Sequence, residues 1–291
     1  MSNISSMSLE EAAKYAASLG LKSVNKKFSL INYVREIWTL RHFTKQLAVS
    51  KIIASTSQNR LGLFWEFLNP LFTAGMYYLA FGVLLGTRRD SPNFIFFLIA
   101  GVLTFNLFQQ GFLGSAKSIL KEKGLAKNLT FPLIIIPISA TFQATLRSLP
   151  TLSLFYPVAY FTGIPFSWKW LLLPFVMFLT ILFGASLGTM LSRVLMRVRD
   201  FVEALPLFTR ALMFTSGIFF DVTSRFESAP EPIRSIALNG PVGLLLDIAR
   251  GLFIPEDMPS QNQILLLIAA TVVLFTVSLT FFWRGEMRDA R

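Results

Sequence analysis

Four stretches of this chain, residues 91–116, 128–146, 170–192 and 258–283, contain no charged side chain. A helix that crosses a bilayer needs about 20 mostly apolar residues, because the hydrocarbon core is about 30 Å thick and each residue adds about 1.5 Å. Four such runs spread over 291 residues predict a polytopic, all-α integral membrane protein.

The charges between these runs predict an orientation. Nineteen Lys and Arg fall in residues 1–65, 117–127, 193–199 and 284–291, against six near Arg88, at Lys169 and in 221–260. Basic residues accumulate on the cytoplasmic side of membrane proteins. The net charge of +11 therefore reads as topology rather than as a nucleic-acid footprint. The first sixty residues are polar and basic, without the apolar core and small-residue cleavage site of a signal peptide. The chain has no cysteine, which removes disulfides and thiolate metal sites. Its single histidine, His42, lies in the polar N-terminal region and reads as a solvated surface residue.

Residues 8–19 predict a short cytosolic helix, with Ser8 and Glu11 as a capping box and Gly20 as its stop. Residues 30–53 are amphipathic. Leu30, Val34, Ile37 and Trp38 share a face, the stripe drifts to Leu40, Phe43 and Leu47, and Arg35, Arg41, Lys45 and Lys51 lie among them. Such a basic helix lies in the membrane interface. Six spans are expected: Leu63–Leu85, Phe94–Ala116, Phe131–Phe161, Trp170–Ser192, Phe201–Phe220 and Ile264–Trp283. Trp65, Trp168, Trp170 and Trp283 fall at span ends, where amphipathic rings sit. Residues 128–168 could form two tight spans or one long one. Seven spans would put Arg193, Arg197, Arg199 and the basic tail outside, so one long span bent near Pro150 or Pro157 is expected. The loop 221–260 holds five prolines.

No catalytic constellation is visible. There are no paired acids at a span end and no phosphate-binding loop, and the stretch Gly111–Lys123 has the wrong spacing for one. Catalytic, metal and cofactor residues are therefore expected to be absent from this chain. Two charges fall inside predicted spans, Arg147 and Arg210. Each costs about 2.5–3.5 kcal/mol at mid-span, and each would be tolerated facing the bundle interior or an aqueous cavity. Arg210, about two turns from the cytoplasmic end, could also snorkel outward. The loop Lys117–Asn128 is short and basic, and Ile119, Leu120 and Lys123 could present an edge to a soluble partner.

Four segments together resemble the permease of ATP-binding-cassette polysaccharide exporters, the O-antigen, capsule and teichoic acid export family. They are Arg60-Leu-Gly-Leu-Phe-Trp65-Glu-Phe-Leu-Asn-Pro70; Leu125-Ala-Lys-Asn-Leu-Thr-Phe131-Pro132 with Ile136-Pro137; Val198-Arg199-Asp200-Phe201 with Pro206; and Ser216-Gly217 followed by Asn239-Gly-Pro241 and Arg250. Gly217 stands where the family usually has Pro, and Gly240 interrupts its usual Asn-Pro. The likeness covers about residues 58–285. It implies a cytoplasmic N-terminal region over 1–60, a six-span permease over 61–285 and a cytoplasmic tail over 286–291. It implies a bacterial cytoplasmic-membrane homodimer with two copies of a separate ATPase subunit, which would bind ATP and Mg. The coupling residues it implies are Lys117, Ile119, Leu120, Lys121, Lys123 and Lys127, in a helix at 117–128 seated in a groove of that ATPase. It also implies that 221–260 forms two short re-entrant helices, for which Ile233–Leu238 and Val242–Phe253 are the candidates.

A sliding sugar chain presents C–H faces that aromatic rings bind without fixed hydrogen bonds. Tyr77, Tyr78 and Phe81 of span one and Phe214, Phe219 and Phe220 of span five are the channel-lining candidates, since the resemblance implies that these spans line the conduit. The substrate expected is a lipid-linked polysaccharide of O-antigen, teichoic acid or galactan type. The alternatives are export of small drugs or lipids by the same fold, or a membrane-embedded glycosyltransferase. The last would need acidic ligands at a span end, and Asp221, Glu227, Glu231 and Asp247 are scattered.

Overall fold

The computed structural model describes residues 29–57, 62–84, 93–122, 124, 131–220, 230 and 238–289. The helix expected at 8–19, the coupling residues Lys123 and Lys127, and the outer-loop segment starting at Ile233, as far as residue 237, lie outside the described residues. Nine α-helices are present among those described: α1 (Leu30–Thr39), α2 (Arg41–Ser57), α3 (Gly62–Tyr77), α4 (Phe94–Lys121), α5 (Ile135–Phe161), α6 (Leu173–Arg197), α7 (Phe201–Thr215), α8 (Pro241–Gly251) and α9 (Gln261–Asp289). The chain is all-α over these residues, as its charge-free runs require.

Among the described residues, four helical stretches are long and apolar enough to cross a membrane: Phe67–Leu84, Phe94–Lys121, Trp168–Arg197 and Gln261–Glu286. The first joins α3 to a π-helical continuation, Tyr78–Leu84. The third enters α6 through a 3₁₀ turn at Trp168–Leu172. The region from Ile135 to Phe161 is one continuous 27-residue helix with Pro150 and Pro157 inside it, not two tight spans. At about 1.5 Å per residue it is about 40 Å long. Two expectations about spans needed correction. The expected fifth span, Phe201–Phe220, is a 15-residue helix that stops at Thr215, followed by a turn. The second span does not end near Ala116 but runs on to Lys121.

Helix α4 is the centre of the bundle, packing on α3, α5, α6, α7 and α8, and most extensively on α6. The sequence explains that closeness. Gly184 and Gly188 stand one turn apart on α6, and a methyl group added at either would collide with the α4 carbonyls of Phe108 and Phe112. Gly111 on α4 meets the Ile181 carbonyl in the same way. Without Cβ atoms the two backbones touch, which replaces the hydrophobic drive that helices lack in lipid. Hydroxyls on these helices bond back one turn, as Thr104 does to the Ala100 carbonyl at 2.8 Å and Thr189 to that of Ala185 at 2.7 Å. Hydroxyls paired in this way need no distant partner, whereas the buried Ser115 hydroxyl pairs with that of Thr141 on α5 at 3.3 Å.

The amphipathic stretch 30–53 forms two helices, α1 and α2, parted at Leu40. The break lies where the apolar stripe drifts. Val34 and Trp38 of the expected apolar face are exposed, as a lipid-facing stripe would be, whereas Tyr33 is buried. Tyr33 packs in a small core with Ile119, Ile134, Ile136 and Phe282, so α1 is seated on the ends of α4, α5 and α9. Burial and the neighbouring Glu286 carboxyl push the Tyr33 hydroxyl above the usual tyrosine range, which keeps it a proton donor.

Candidate functional site

Three groups of residues carry the chemistry of this bundle. The first is aromatic. At the end of α3 and in the turn after α7, the Phe219 ring stacks on Phe81 at 4.3 Å and meets the Tyr77 ring edge-on at 4.8 Å. Phe214 lies 5.3 Å from Phe219. The Tyr77 hydroxyl donates to the Met213 Sδ at 3.7 Å. Four of the six aromatic residues singled out from the sequence are therefore in one cluster. Tyr78 instead turns toward Gly82, where its ring leaves no room for a side chain, and Phe220 is packed at the edge of the main core. Phe219 is only 2% exposed, so its ring is covered within one chain, whereas Phe214 is exposed.

The second group is a polar cavity of about 660 Å³ between α2, α3, α4 and α5. Five carboxamides line it: Asn69, Asn106, Gln109, Gln110 and Gln143. Lys51, Lys121, Glu122 and Arg147 supply its charge. Lys51 and Glu122 are paired at 3.1 Å, which ties α2 to the end of α4. The Arg147 guanidinium reaches across to donate to the Ser55 hydroxyl of α2. The sequence marked Arg147 as needing a polar surrounding, and this cavity provides it. The carboxamides passed unnoticed because they lie on three helices of unremarkable composition. Asn106, Gln109 and Gln110 occur in neighbouring positions of α4, and that is the signal the sequence did contain. Gln109 also donates to the Thr209 hydroxyl at 3.1 Å, joining α4 to α7. Arg210, the other charge within a predicted span, is exposed on α7 and not part of the cavity.

The third group is the end of α4. Residues Lys117–Lys121 continue the long helix instead of starting a separate one, and Glu122 caps it. Ile119 is 2% exposed, which removes its side chain from any outward edge. Leu120 packs at the margin of the main core, Lys117 is half-buried and Lys121 is exposed.

Apart from these three groups, one arginine joins the outer segment to the bundle. Arg250 of α8 is buried, and its guanidinium lies 3.4 Å from the centre of the Phe97 ring. It donates to the carbonyls of Phe97 at 3.1 Å, Gly217 at 3.1 Å and Ile218 at 3.2 Å, and to the Asp247 carboxylate at 3.3 Å. The sequence showed Arg250 only as part of a motif. Nothing local distinguishes an arginine that reaches carbonyls more than thirty residues away.

The bundle thus sets polar side chains between its helices and charge at its helix ends. Residues 44–238 match the ABC-2 type transporter family, and the chain belongs to it. It is a multi-pass membrane permease of a family with neither a catalytic domain nor a cofactor, and membership implies an ATPase partner. The chain is 24% identical over 253 residues to the O-antigen export system permease protein RfbA of Myxococcus xanthus, covering 87% of this chain and 96% of that one. It is also 24% identical over 232 residues to the O-antigen export system permease protein RfbA of Klebsiella pneumoniae, covering 79% and 86%. It is distantly related to these permeases.

Proposed function

We propose that this chain is the transmembrane half of an exporter that moves a lipid-linked polysaccharide across the cytoplasmic membrane, as a homodimer driven by two copies of a separate ATPase subunit. The observation that carries the reading is the aromatic cluster of Tyr77, Phe81, Phe214 and Phe219, built by α3 with its π-helical continuation and by α7 with the turn after it. Rings suit the C–H faces of sugars, and they hold a moving chain without the fixed hydrogen bonds that would stall it. The names of the two relatives and the length over which they match support the same reading.

The surface supports a second copy. Helix α7 buries only Leu205 and Thr209, while Phe201, Leu207, Phe208 and Phe214 are exposed. Phe64, Trp65, Phe72 and Met76 are exposed on α3. A second chain against these two helices would bring two aromatic clusters to one conduit. In this reading α3, α4, α5, α6, the stretch 201–220 and α9 are the six spans, and both termini are cytoplasmic.

Lys117, Leu120 and Lys121 would meet the ATPase, while Ile119 would brace the helix behind them. Depletion of the protein in cells tests the function. Accumulation of a lipid-linked polymer on the cytoplasmic face is the expected result. Normal polymer at the surface, together with retention of a small drug or lipid, would favour the alternative in which the same fold exports those molecules.

A further inference from the structure

We propose that Tyr33, Arg193 and Glu286 are positioning residues for ATP-driven transport. Together they form a buried polar junction through which α1 and the end of α4 act on the ends of α6 and α9. The proposal rests on the reading above in which the end of α4 meets the ATPase. Helix α1 buries one residue fully, Tyr33, while Ile31, Val34 and Trp38 are exposed. A helix held at a single point leaves the bundle more readily than one with a continuous buried face. That point is polar. The Tyr33 hydroxyl, one nitrogen of Arg193 and one carboxyl oxygen each of Glu36 and Glu286 are sealed from solvent.

The groups come from separate helices. Tyr33 and Glu36 belong to α1, Arg193 lies near the end of α6 and Glu286 near the end of α9. Glu286 is also set against the backbone N–H groups of Leu133 and Ile134, where α5 begins. The Arg193 guanidinium stands 5.6 Å from the centre of the Phe282 ring, and a methyl group added at Gly285 would collide with it. Beside the polar groups, Tyr33 shares its small core with Ile119 of α4. Around one phenol there are thus one guanidinium and two carboxyls, and the carboxyls ride on different helices. A buried carboxylate needs a cation or a donor. Arg193 serves one of them best and the phenol donates to the other. A shift of α1, pushed through Ile119, changes which carboxyl Arg193 serves and so displaces the end of α6 against that of α9. Such an exchange of partners is a two-state element of the kind that coupling between distant sites requires.

The test uses the cysteine-free chain carrying Val34→Cys, with a nitroxide on the exposed side of α1, assembled with the ATPase partner in nanodiscs. Spectra are taken without nucleotide and after trapping with ATP and vanadate. In the parent, trapping should enlarge the mobile component. Tyr33→Phe keeps the ring and loses the hydroxyl. Its mobile fraction before trapping should rise about two- to tenfold, the equivalent of one hydrogen bond, and trapping should add little, while the complex still hydrolyses ATP. Gly285→Ala should do the same, because its methyl group displaces only the flexible end of Arg193. Lys169→Gln, at the far end of α6, should behave as the parent does. Parent-like spectra in both Tyr33→Phe and Gly285→Ala overturn the junction. So does a lower melting temperature in these variants with the response to trapping intact, which would make the role structural only. A parent label that ignores trapping in an assembled, hydrolysing complex overturns the junction and leaves the α4 contact standing. A folded parent that does not assemble with the partner removes the α4 contact and the junction with it.

Discussion

Arg250 lies face-on to the Phe97 ring at 3.4 Å and donates to the carbonyl of the same residue at 3.1 Å. One side chain of α8 thus grips α4 through both its ring and its backbone. Because it also holds the carbonyls of Gly217 and Ile218, it fixes the turn that presents Phe219 to the aromatic cluster. Replacing a buried cation that makes several hydrogen bonds leaves carbonyls unpaired, at a cost of about 3–5 kcal/mol. Arg250→Ala should therefore lower both abundance and melting temperature in detergent. Arg250→Lys should not restore them, since one ammonium cannot reach these diverging acceptors. A melting temperature unchanged in both variants would show that the grip is not structural.

Gly217 has a φ of +78°, a conformation that glycine adopts freely and proline cannot. Gly217 thus closes the end of α7 with a turn that proline in its place could not form. Gly217→Ala should cost about 1 kcal/mol and Gly217→Pro about 3 kcal/mol or more, read as successive losses in melting temperature. A Gly217→Pro protein as stable as the parent would mean that the turn is remade.

The contact between α4 and α6 makes a sharper contrast. Gly188→Ala places a methyl group against the Phe112 carbonyl, whereas Gly114→Ala points into open space. The first should destabilise by about 1–3 kcal/mol, as overpacking does, and the second should be neutral or slightly stabilising. Thermal unfolding of the two variants side by side checks this, and equal melting temperatures would contradict the close crossing.

Phe219 touches three rings, and each such pair is worth about 0.5–1.5 kcal/mol beyond its burial. Phe219→Ala should lower stability and export together. Tyr77→Phe keeps the ring contacts and loses only the bond to Met213, so its abundance should be normal. Tyr77→Ala should reduce polymer export more than ATPase rate or protein level. Full export in Tyr77→Ala at normal abundance would take Tyr77 out of the polymer's path.

Much of this was legible in the sequence. Charge-free runs of this length announce helices in lipid because within one segment only a helix pairs its whole backbone; the second span ran on past its last apolar residue to Lys121, and the helix of the fifth stopped short, at Thr215. The single helix through Pro150 and Pro157 followed from charge parity. The aromatic cluster was half-legible: Tyr77 and Phe81 are one turn apart, but Phe219 joins them only because α7 stops at Thr215. Ile119 was misread because an apolar residue in a basic segment looks like an exposed edge, and its burial depends on Tyr33, Ile134 and Phe282 from distant parts of the chain. The polar cavity and the grip of Arg250 were not legible, since both are made by residues brought together from separate helices.

Orientation is open to a direct check. Single cysteines introduced into this cysteine-free chain at residues 240, 122 and 288 should react with an impermeant reagent from outside only at 240. External labelling at 288 would overturn the six-span arrangement.

The central claim is that this chain carries a lipid-linked polysaccharide outward at the expense of ATP hydrolysed by another subunit. The most direct measurement uses proteoliposomes that hold the chain, its ATPase partner and a labelled lipid-linked glycan, with transport followed by protection from a glycosidase. With the ATP side of the chain facing the bath, glycan should become protected only when the partner, ATP and Mg are all present, and the chain alone should hydrolyse no ATP. Protection that develops without the partner, or none in the complete system while ATP is consumed, would contradict the account.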